Sequence, residues 1–253
     1  MKALLFALIL SVLVLVNGCV CPPPAPPIEP EPTAASDTAP TTSPTAATDP
    51  TEEPTTEATT PITVYENAVE DYLLPIEEFS WERQHAPEFV MIHFTSAIVN
   101  HRNDPYNLEY VRAIFVDYDI SVHYVIDRDG RIHCYIPEDR VAWHAGEGTY
   151  LDDPKYTNTM NQYAIGIEVL AIGSEADMSI YLTPDEYQAL DDALKGFTEA
   201  QYQALEALVS DLCKRYGIPQ DGEHIIGHED YSPDKTDPGE LFDWSRIRTD
   251  TPS

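Results

Sequence analysis

The chain has 253 residues, of which 44 are acidic and 14 basic, for a formal net charge of −30 at pH 7. That length holds one ordinary domain with extensions, or two small ones. So large an excess of acid excludes a nucleic-acid partner bound through a basic surface; it promotes solubility and names no ligand.

The two ends differ in kind. Residues 1–21 place Lys2 ahead of a fourteen-residue run, Ala3 to Val16, that is apolar but for Ser11. This is the charged start and short apolar stretch of an export signal, too short to span a bilayer, which takes about 20 residues as a helix. Gly18-Cys19 follows and resembles a bacterial lipobox, so lipidation of Cys19 is expected, with residues 1–21 acting as a lipoprotein-type signal and anchor. Residues 22–61 are mostly Pro, Thr, Ala and Glu, with Ile28 the only large apolar side chain. A segment of that composition buries too little surface to offset its ordering entropy, so a disordered, polyproline-biased tether is expected. Its forty residues extend to ~120 Å at most, at ~3.1 Å each. The folded domain is then 62–253, with 37 acidic and 13 basic residues once seven acids and Lys2 are assigned to the preceding segment. Within it only Cys134 and Cys213 remain, and no CxxC pair exists, which argues against a cysteine-based zinc knuckle or a thioredoxin-type site.

Residues 88–95, EFVMIHFT, have strand length and apolar side chains on both faces, the pattern of a central strand. A weak helical pattern covers Asn107 to Val116. Residues 121–136 form two alternating runs joined by Asp129-Gly130, a hairpin signal. AIGIEVLAI, 164–172, is a further strand. Thr183-Pro184 opens a helix, and Thr198 with Gln201 forms a capping box for another. That second helix aligns Tyr202, Leu205, Leu208, Val209, Leu212 and Tyr216 on one face and stops at Gly217. HIIGH, 224–228, reads as a last short strand. Strands alternating with helices around a hairpin predict an α/β single domain, with a central mixed β-sheet flanked by helices.

The chemistry gathers after that last strand, in GHEDYSPDKTDPG, 227–239. His93 and His228 are both expected at strand ends, where ligands collect in open α/β sheets; taken singly, each reads as a hydrogen-bonded core or rim histidine. Lys235 and Asp237 leave one face if DKTDP is extended, and the surrounding turn formers are expected to aim His228, Lys235 and Asp237 inward. Two neutral imidazoles and one carboxylate would hold Zn²⁺ with a net charge of about +1 and leave the fourth tetrahedral position open, the pattern of a catalytic site. Glu168 is the natural base, because a carboxylate among Ile165, Ile167, Val169 and Leu170 needs a partner or a task; alone it would read as pointing to solvent. His224 lies four before His228, but Ile225, Ile226 and Gly227 are poor helix material, and in a strand the two would sit about 13 Å apart. His224 is therefore set aside as structural.

The ordered segments MIHFT, SVHYVIDRDGRI, VAWHAG, NQYAIGIEV, the TEAQYQAL helix and IIGHEDYSPDKTDPG resemble the zinc-dependent type-2 N-acetylmuramoyl-L-alanine amidases, relatives of the phage-lysozyme amidases and the peptidoglycan recognition proteins. The likeness runs from about residue 86 to Trp244. It implies that His93, His228 and Asp237 are zinc ligands, that Glu168 acts on the water and that Lys235 stabilises the oxyanion. It also implies that Trp143, His144 and Asn161 lie near the substrate groove. The substrate so implied is the amide between the lactyl group of N-acetylmuramic acid and L-alanine, met in peptidoglycan or muropeptides. The alternatives are a peptidoglycan-binding receptor without activity and a zinc endopeptidase of the stem peptide; Asp237, the third ligand, favours an enzyme over a receptor. Segment 173–197 departs from the family pattern and is expected to add a helix. The whole is read as an exported monomer, anchored to the membrane by its N-terminal lipid and facing the cell wall or periplasm.

Overall fold

The structure, a computed structural model, describes residues 73–249. The signal, the tether, Cys19 and the first residues of the domain lie outside these. In chain order the regular elements are α1 (Ile76–Phe79), β1 (Ser80–Glu82), β2 (Phe89–Thr95), α2 (Leu108–Asp117), β3 (Tyr124–Ile126), β4 (Ile132–Cys134), β5 (Arg140–Ala142), β6 (Ala164–Leu170), α3 (Pro184–Gln188), α4 (Glu199–Tyr216), β7 (Ile225–Gly227) and α5 (His228–Tyr231). Among the described residues no helix is long and apolar enough to cross a membrane, and no disulfide joins Cys134 and Cys213.

Five strands form the main sheet, in the order β4-β3-β6-β2-β7. β3, β6, β2 and β7 run parallel, and β4 returns antiparallel on β3. The sheet is mixed, as the residue pattern predicts, and β2 lies inside it. β1 pairs with β5 in a separate two-stranded ribbon.

Alternation along the strands sorts their side chains by face. Val90, Ile92, Ile165, Ile167 and Val169 pack against Leu205, Leu208, Val209 and Leu212 of α4. Helix α4 is stopped at both ends by the predicted chemistry: Thr198 and Gln201 make a reciprocal capping box, and Gly217 takes the left-handed conformation at φ 70°. The opposite face carries two apolar clusters. One joins Val125 and Leu170 to Val111 and Phe115 of α2; the other joins Phe89, Met91, Ala164 and Ile226 to Tyr156, Met160 and Tyr231. His93 and Glu168 belong to this second face.

Three local expectations need correction. His228 does not end a strand; β7 stops at Gly227, and His228 opens the helical turn α5, where the Asp230 carboxylate accepts the Gly227 N–H at 2.8 Å. The added helix in 173–197 is only Pro184–Gln188, because the Asp191 side chain accepts from Ala193 N–H at 3.0 Å and starts a separate 3₁₀ turn, Asp192–Leu194. Third, Ile165, Ile167 and Val169 do not surround Glu168, since strand alternation sends them to the α4 side.

Arg83 places a half-buried cation against the sheet. The Arg83 guanidinium donates to the carbonyls of Glu138 (2.8 Å), Gln162 (2.9 Å) and Ala164 (3.3 Å), and it meets His123 Nε2 at 3.0 Å. His123 is fully buried; its Nδ1 accepts the Gly166 N–H at 3.0 Å, and its Nε2 lies 3.2 Å from Arg140 O. Burial, then the Arg83 charge, push its pKa down to about 3. In the unfolded chain the same ring titrates near ~6.5. Between these values the unfolded state binds a proton that the folded state refuses, so stability falls as pH drops through this window, by about 1.4 kcal/mol per pH unit. His123→Gln is expected to give a shallower loss of stability between pH 6.5 and 4 than the natural chain, read from urea unfolding midpoints; equal slopes would show that His123 does not carry this term.

Candidate active site

Register brings the site together. His93 on β2 pairs with Glu168 on β6, and Ile92 pairs with Gly227 on β7. Glu168 and His93, with His228 one residue past β7, therefore stand at one level at the carboxyl ends of three adjacent strands, where open parallel sheets place ligands. Asp237 reaches the same point from the following loop, whose backbone is tied down by the Glu229 N–H donating to Asp237 O at 3.0 Å. Close approach holds the loop too: a Cβ on Gly227 would lie 2.8 Å from Pro238 Cδ, and one on Gly239 would lie 2.5 Å from an oxygen of buried Asp177. The segment that departs from the family pattern thus underlies the loop carrying Asp237.

His93 Nδ1 lies 2.8 Å from Asp237 Oδ2 and 3.1 Å from His228 Nδ1, and His228 Nδ1 lies 3.1 Å from the same Asp237 oxygen. His93 and His228 are buried, and Asp237 is half-buried. Among the described residues this is the one group of three His, Cys, Asp or Glu whose ligand atoms converge in this way.

Proton placement tests whether a cation fits. His228 Nε2 faces the carbonyl of Ala145 at 2.9 Å, and a carbonyl only accepts, so Nε2 carries the proton. In the neutral ring Nδ1 is then a bare lone pair turned toward a carboxylate oxygen. Such lone pairs repel unless a cation lies between them. Two imidazole nitrogens and a carboxylate oxygen are the donor set that zinc takes in open, four-coordinate sites. The residues fit a metal.

Charge and burial act on each group. Burial alone would raise the Asp237 carboxyl, but positive charge or ring N–H groups at His228 and His93 would hold it far below the usual range; with His228 Nδ1 bare, a bound cation takes that part. Burial pushes His93 down to about 4 against the pull of Asp237. Glu168 moves the other way: burial and then the Asp237 charge lift its carboxyl well above the ordinary value, with Lys235 opposing. Its Oε2 is buried without a hydrogen-bond partner among the described residues. Lys235 is exposed, at the rim rather than inward, because an ammonium loses more by desolvation than it gains from a shared site; its charge still acts on Glu168 and His93.

The remaining predicted residues divide. His144 Nδ1 lies 3.1 Å from His93 Nε2. Asn161 Oδ1 accepts from the N–H groups of His144 and Ala145 at 3.0 and 2.8 Å. Trp143 turns away from them, its ring 5.3 Å from Trp81 and 6.4 Å from Phe79. His224 is not in the cluster; it contacts Asp221 at 2.7 Å and stacks on Phe89.

Three participants escape a sequence reading. Ala145 acts through its carbonyl, which no side-chain pattern announces. Gly166 admits the His144 ring, since a Cβ there would lie 2.6 Å from it; an isolated glycine inside a strand is the available signal for such close approach. Tyr181, from the segment outside the family pattern, is more than half exposed, yet burial of its hydroxyl and the Asp237 charge raise its phenol.

Comparison with known proteins identifies the family of the chain. The chain is 36% identical over 130 residues to the 1,6-anhydro-N-acetylmuramyl-L-alanine amidase AmpD of Escherichia coli K12, covering 51% of this chain and 57% of that protein. It is 31% identical over 144 residues to N-acetylmuramoyl-L-alanine amidase AmiD of the same organism, covering 53% of this chain and 46% of that one. The chain thus spans about half the length of the curated relatives it matches. Among solved structures it is similar to E. coli AmiD in complex with anhydro-N-acetylmuramic acid-L-Ala-D-gamma-Glu-L-Lys, at 26% identity and a TM-score of 0.47, covering 65% of this chain and 58% of that one. The family profile described as N-acetylmuramoyl-L-alanine amidase matches residues 83–240, well over half of the chain and all of the site, and the protein belongs to that amidase family, Amidase_2.

Proposed function

We propose that the protein is a zinc-dependent N-acetylmuramoyl-L-alanine amidase, hydrolysing the amide between N-acetylmuramic acid and L-alanine in peptidoglycan. The observation that carries this reading is the convergence of His93 Nδ1, His228 Nδ1 and Asp237 Oδ2 beside an orphaned buried carboxyl oxygen of Glu168, in a chain of an amidase family. The activities that AmpD and AmiD bear in their names support the same bond.

His93, His228 and Asp237 would hold the ion. Zinc in such a set supplies a Lewis acid for the amide carbonyl and lowers the pKa of water toward neutrality. Glu168 takes the proton from the attacking water and returns it to the departing alanine nitrogen. Burial and the Asp237 charge lift its carboxyl above the ordinary value, the direction that favours a group which must give the proton back. Lys235 places a cation at the rim, where the carbonyl oxygen gains charge; one preorganised charge of this kind is typically worth ~10²-fold or more in rate. The stem peptide and sugar are then required only to present the amide between the zinc-binding triad and Glu168.

Glu168→Ala is expected to retain zinc and lose cleavage of muropeptides, and Asp237→Ala to lose both, measured as bound metal and as released peptide. Wild-type turnover by the first variant, or tight metal in the second, removes that residue from its role. Mass spectrometry of digested sacculi, with and without a chelator, tests the bond itself. Free, intact stem peptides are expected; shortened peptides would make the protein an endopeptidase, and no products would make it a binding module.

Cys19 and residues 22–61 complete the proposal: a lipid on Cys19 holds the domain at a membrane, and the Pro/Thr-rich stretch gives it reach to the wall. The support is compositional. Cys19→Ala is expected to move the protein from the membrane fraction to the soluble one, and unchanged fractionation would end the lipid-anchor reading.

A further inference from the structure

The dipeptide His144-Ala145 touches both histidines of the site, each on the nitrogen that faces away from Asp237. His93 meets His144 Nδ1 through its Nε2 at 3.1 Å, and His228 meets the Ala145 carbonyl through its Nε2 at 2.9 Å. One short stretch of chain therefore supplies the outer partner of both rings. We propose that His144-Ala145 is a tautomer brace for the zinc site, and that His144 and Asn161 are positioning residues acting through it rather than groups that contact substrate. The inference rests on the reading of His93, His228 and Asp237 as ligands.

The argument is one of proton placement. A ring nitrogen that binds a metal must present its lone pair, so the proton of each neutral imidazole has to reside on the other nitrogen. For His228 the Ala145 carbonyl enforces this, because an oxygen with no hydrogen to give can only receive. For His93 the outcome depends on His144. If His144 Nδ1 accepts, the His93 proton lies on Nε2 and Nδ1 is bare toward Asp237. If His144 Nδ1 instead donates, the His93 proton is driven onto Nδ1, into the space between the three ligand atoms. In the proposed brace His144 keeps its own proton on Nε2 and accepts at Nδ1, so that the first arrangement is selected, as outer-shell partners of metal-bound histidines do in general.

The surroundings hold the brace still. Asn161 Oδ1 accepts both N–H groups of the dipeptide, at 3.0 and 2.8 Å, which fixes the two peptide planes that flank His144, next to the Ala145 carbonyl. The His144 ring lies over β6 at Gly166, where a Cβ would come within 2.6 to 2.7 Å of three ring atoms. It packs edge-on to His93 at 5.1 Å and to His123 at 5.7 Å between centroids. Gly166 in turn has its N–H fixed on His123 Nδ1. The side-chain oxygen of Asn161 is committed to the backbone, and the His144 ring is wedged between two other imidazoles, the disposition of positioning residues.

The test uses the full chain, stripped with a chelator and titrated with zinc against a chromophoric competitor, then with Co²⁺ read by its visible absorption bands. His144→Leu, which has no acceptor, is expected to weaken zinc binding 10- to 100-fold and to change the cobalt spectrum. His144→Gln, whose amide oxygen can receive the His93 proton, is expected to stay within about 3-fold of the natural chain. Asn161→Ala is expected to fall between the two, and it decides the matter on the same readout should His144→Leu not fold. Natural affinity in both His144→Leu and Asn161→Ala, with a raised KM for muropeptide, would overturn the brace and return both residues to the substrate groove. His93→Ala in the same titration keeps the two readings apart. Loss of zinc there with none in His144→Leu sinks only the brace, whereas a natural chain that takes up no stoichiometric zinc sinks the ligand assignment and the brace with it.

Discussion

Two imidazole nitrogens and a carboxylate oxygen lie 2.8 to 3.1 Å from one another in a place largely closed to water, and the rest of the site is arranged around that crowding. Atoms that all carry lone pairs do not gather without cause. Exposed to solvent, the side chains would swing apart and hydrate separately; here burial on one side and hydrogen bonds on the other remove that escape. The carbonyl of Ala145 fixes the proton of His228, so for that ring the turning of a bare lone pair toward the carboxylate follows from the fold. A divalent cation is the natural resolution of that opposition, and the same cation is what the proposed hydrolysis requires.

Strand register is the means by which the chain reaches this arrangement. Pairing His93 with Glu168 and Ile92 with Gly227 puts an imidazole, a carboxylate and the start of the His228 turn side by side. A slip of one residue would send each strand's set to the other face. That slip is opposed by the apolar residues of the same strands, Val90, Ile92, Ile165 and Ile167, which are buried against α4. The hydrophobic core and the polar site are therefore alternate residues of the same strands, and stability on one face enforces geometry on the other. Glu168 shows the consequence, since its carboxyl is raised by burial and by Asp237 only because alternation turns it toward the site.

Much of this was legible in the residues. Period-two and period-3.6 patterns, the Thr198 and Gln201 box, Gly217 and the Asp129-Gly130 turn located most elements within one or two residues, because each is a local consequence of backbone preference and side-chain spacing. The histidines, Glu168 and Asp237 stood out because charged or ligating groups in apolar or turn-rich settings need a reason. Where the reading failed, the cause was competition between local signals. Asp191 captured a backbone N–H and cut short the helix opened at Thr183-Pro184, and the Asp230 carboxylate held Gly227 so that His228 began a turn.

By itself, then, the sequence determined the α/β class with its mixed sheet, the residue types available for a zinc-like donor set and the likeness to an amidase family, since these follow from composition, spacing and order along the chain. The tertiary structure alone decided which nitrogen of each histidine faces Asp237, that Lys235 stays at the rim, that Trp143 turns away while His144 turns in, and that a backbone carbonyl at Ala145 takes part. The physical reason is that proton placement and facing depend on contacts between segments far apart in the chain, from residue 93 to residue 237. No local preference encodes the distance between two strands or the direction of a carbonyl across them.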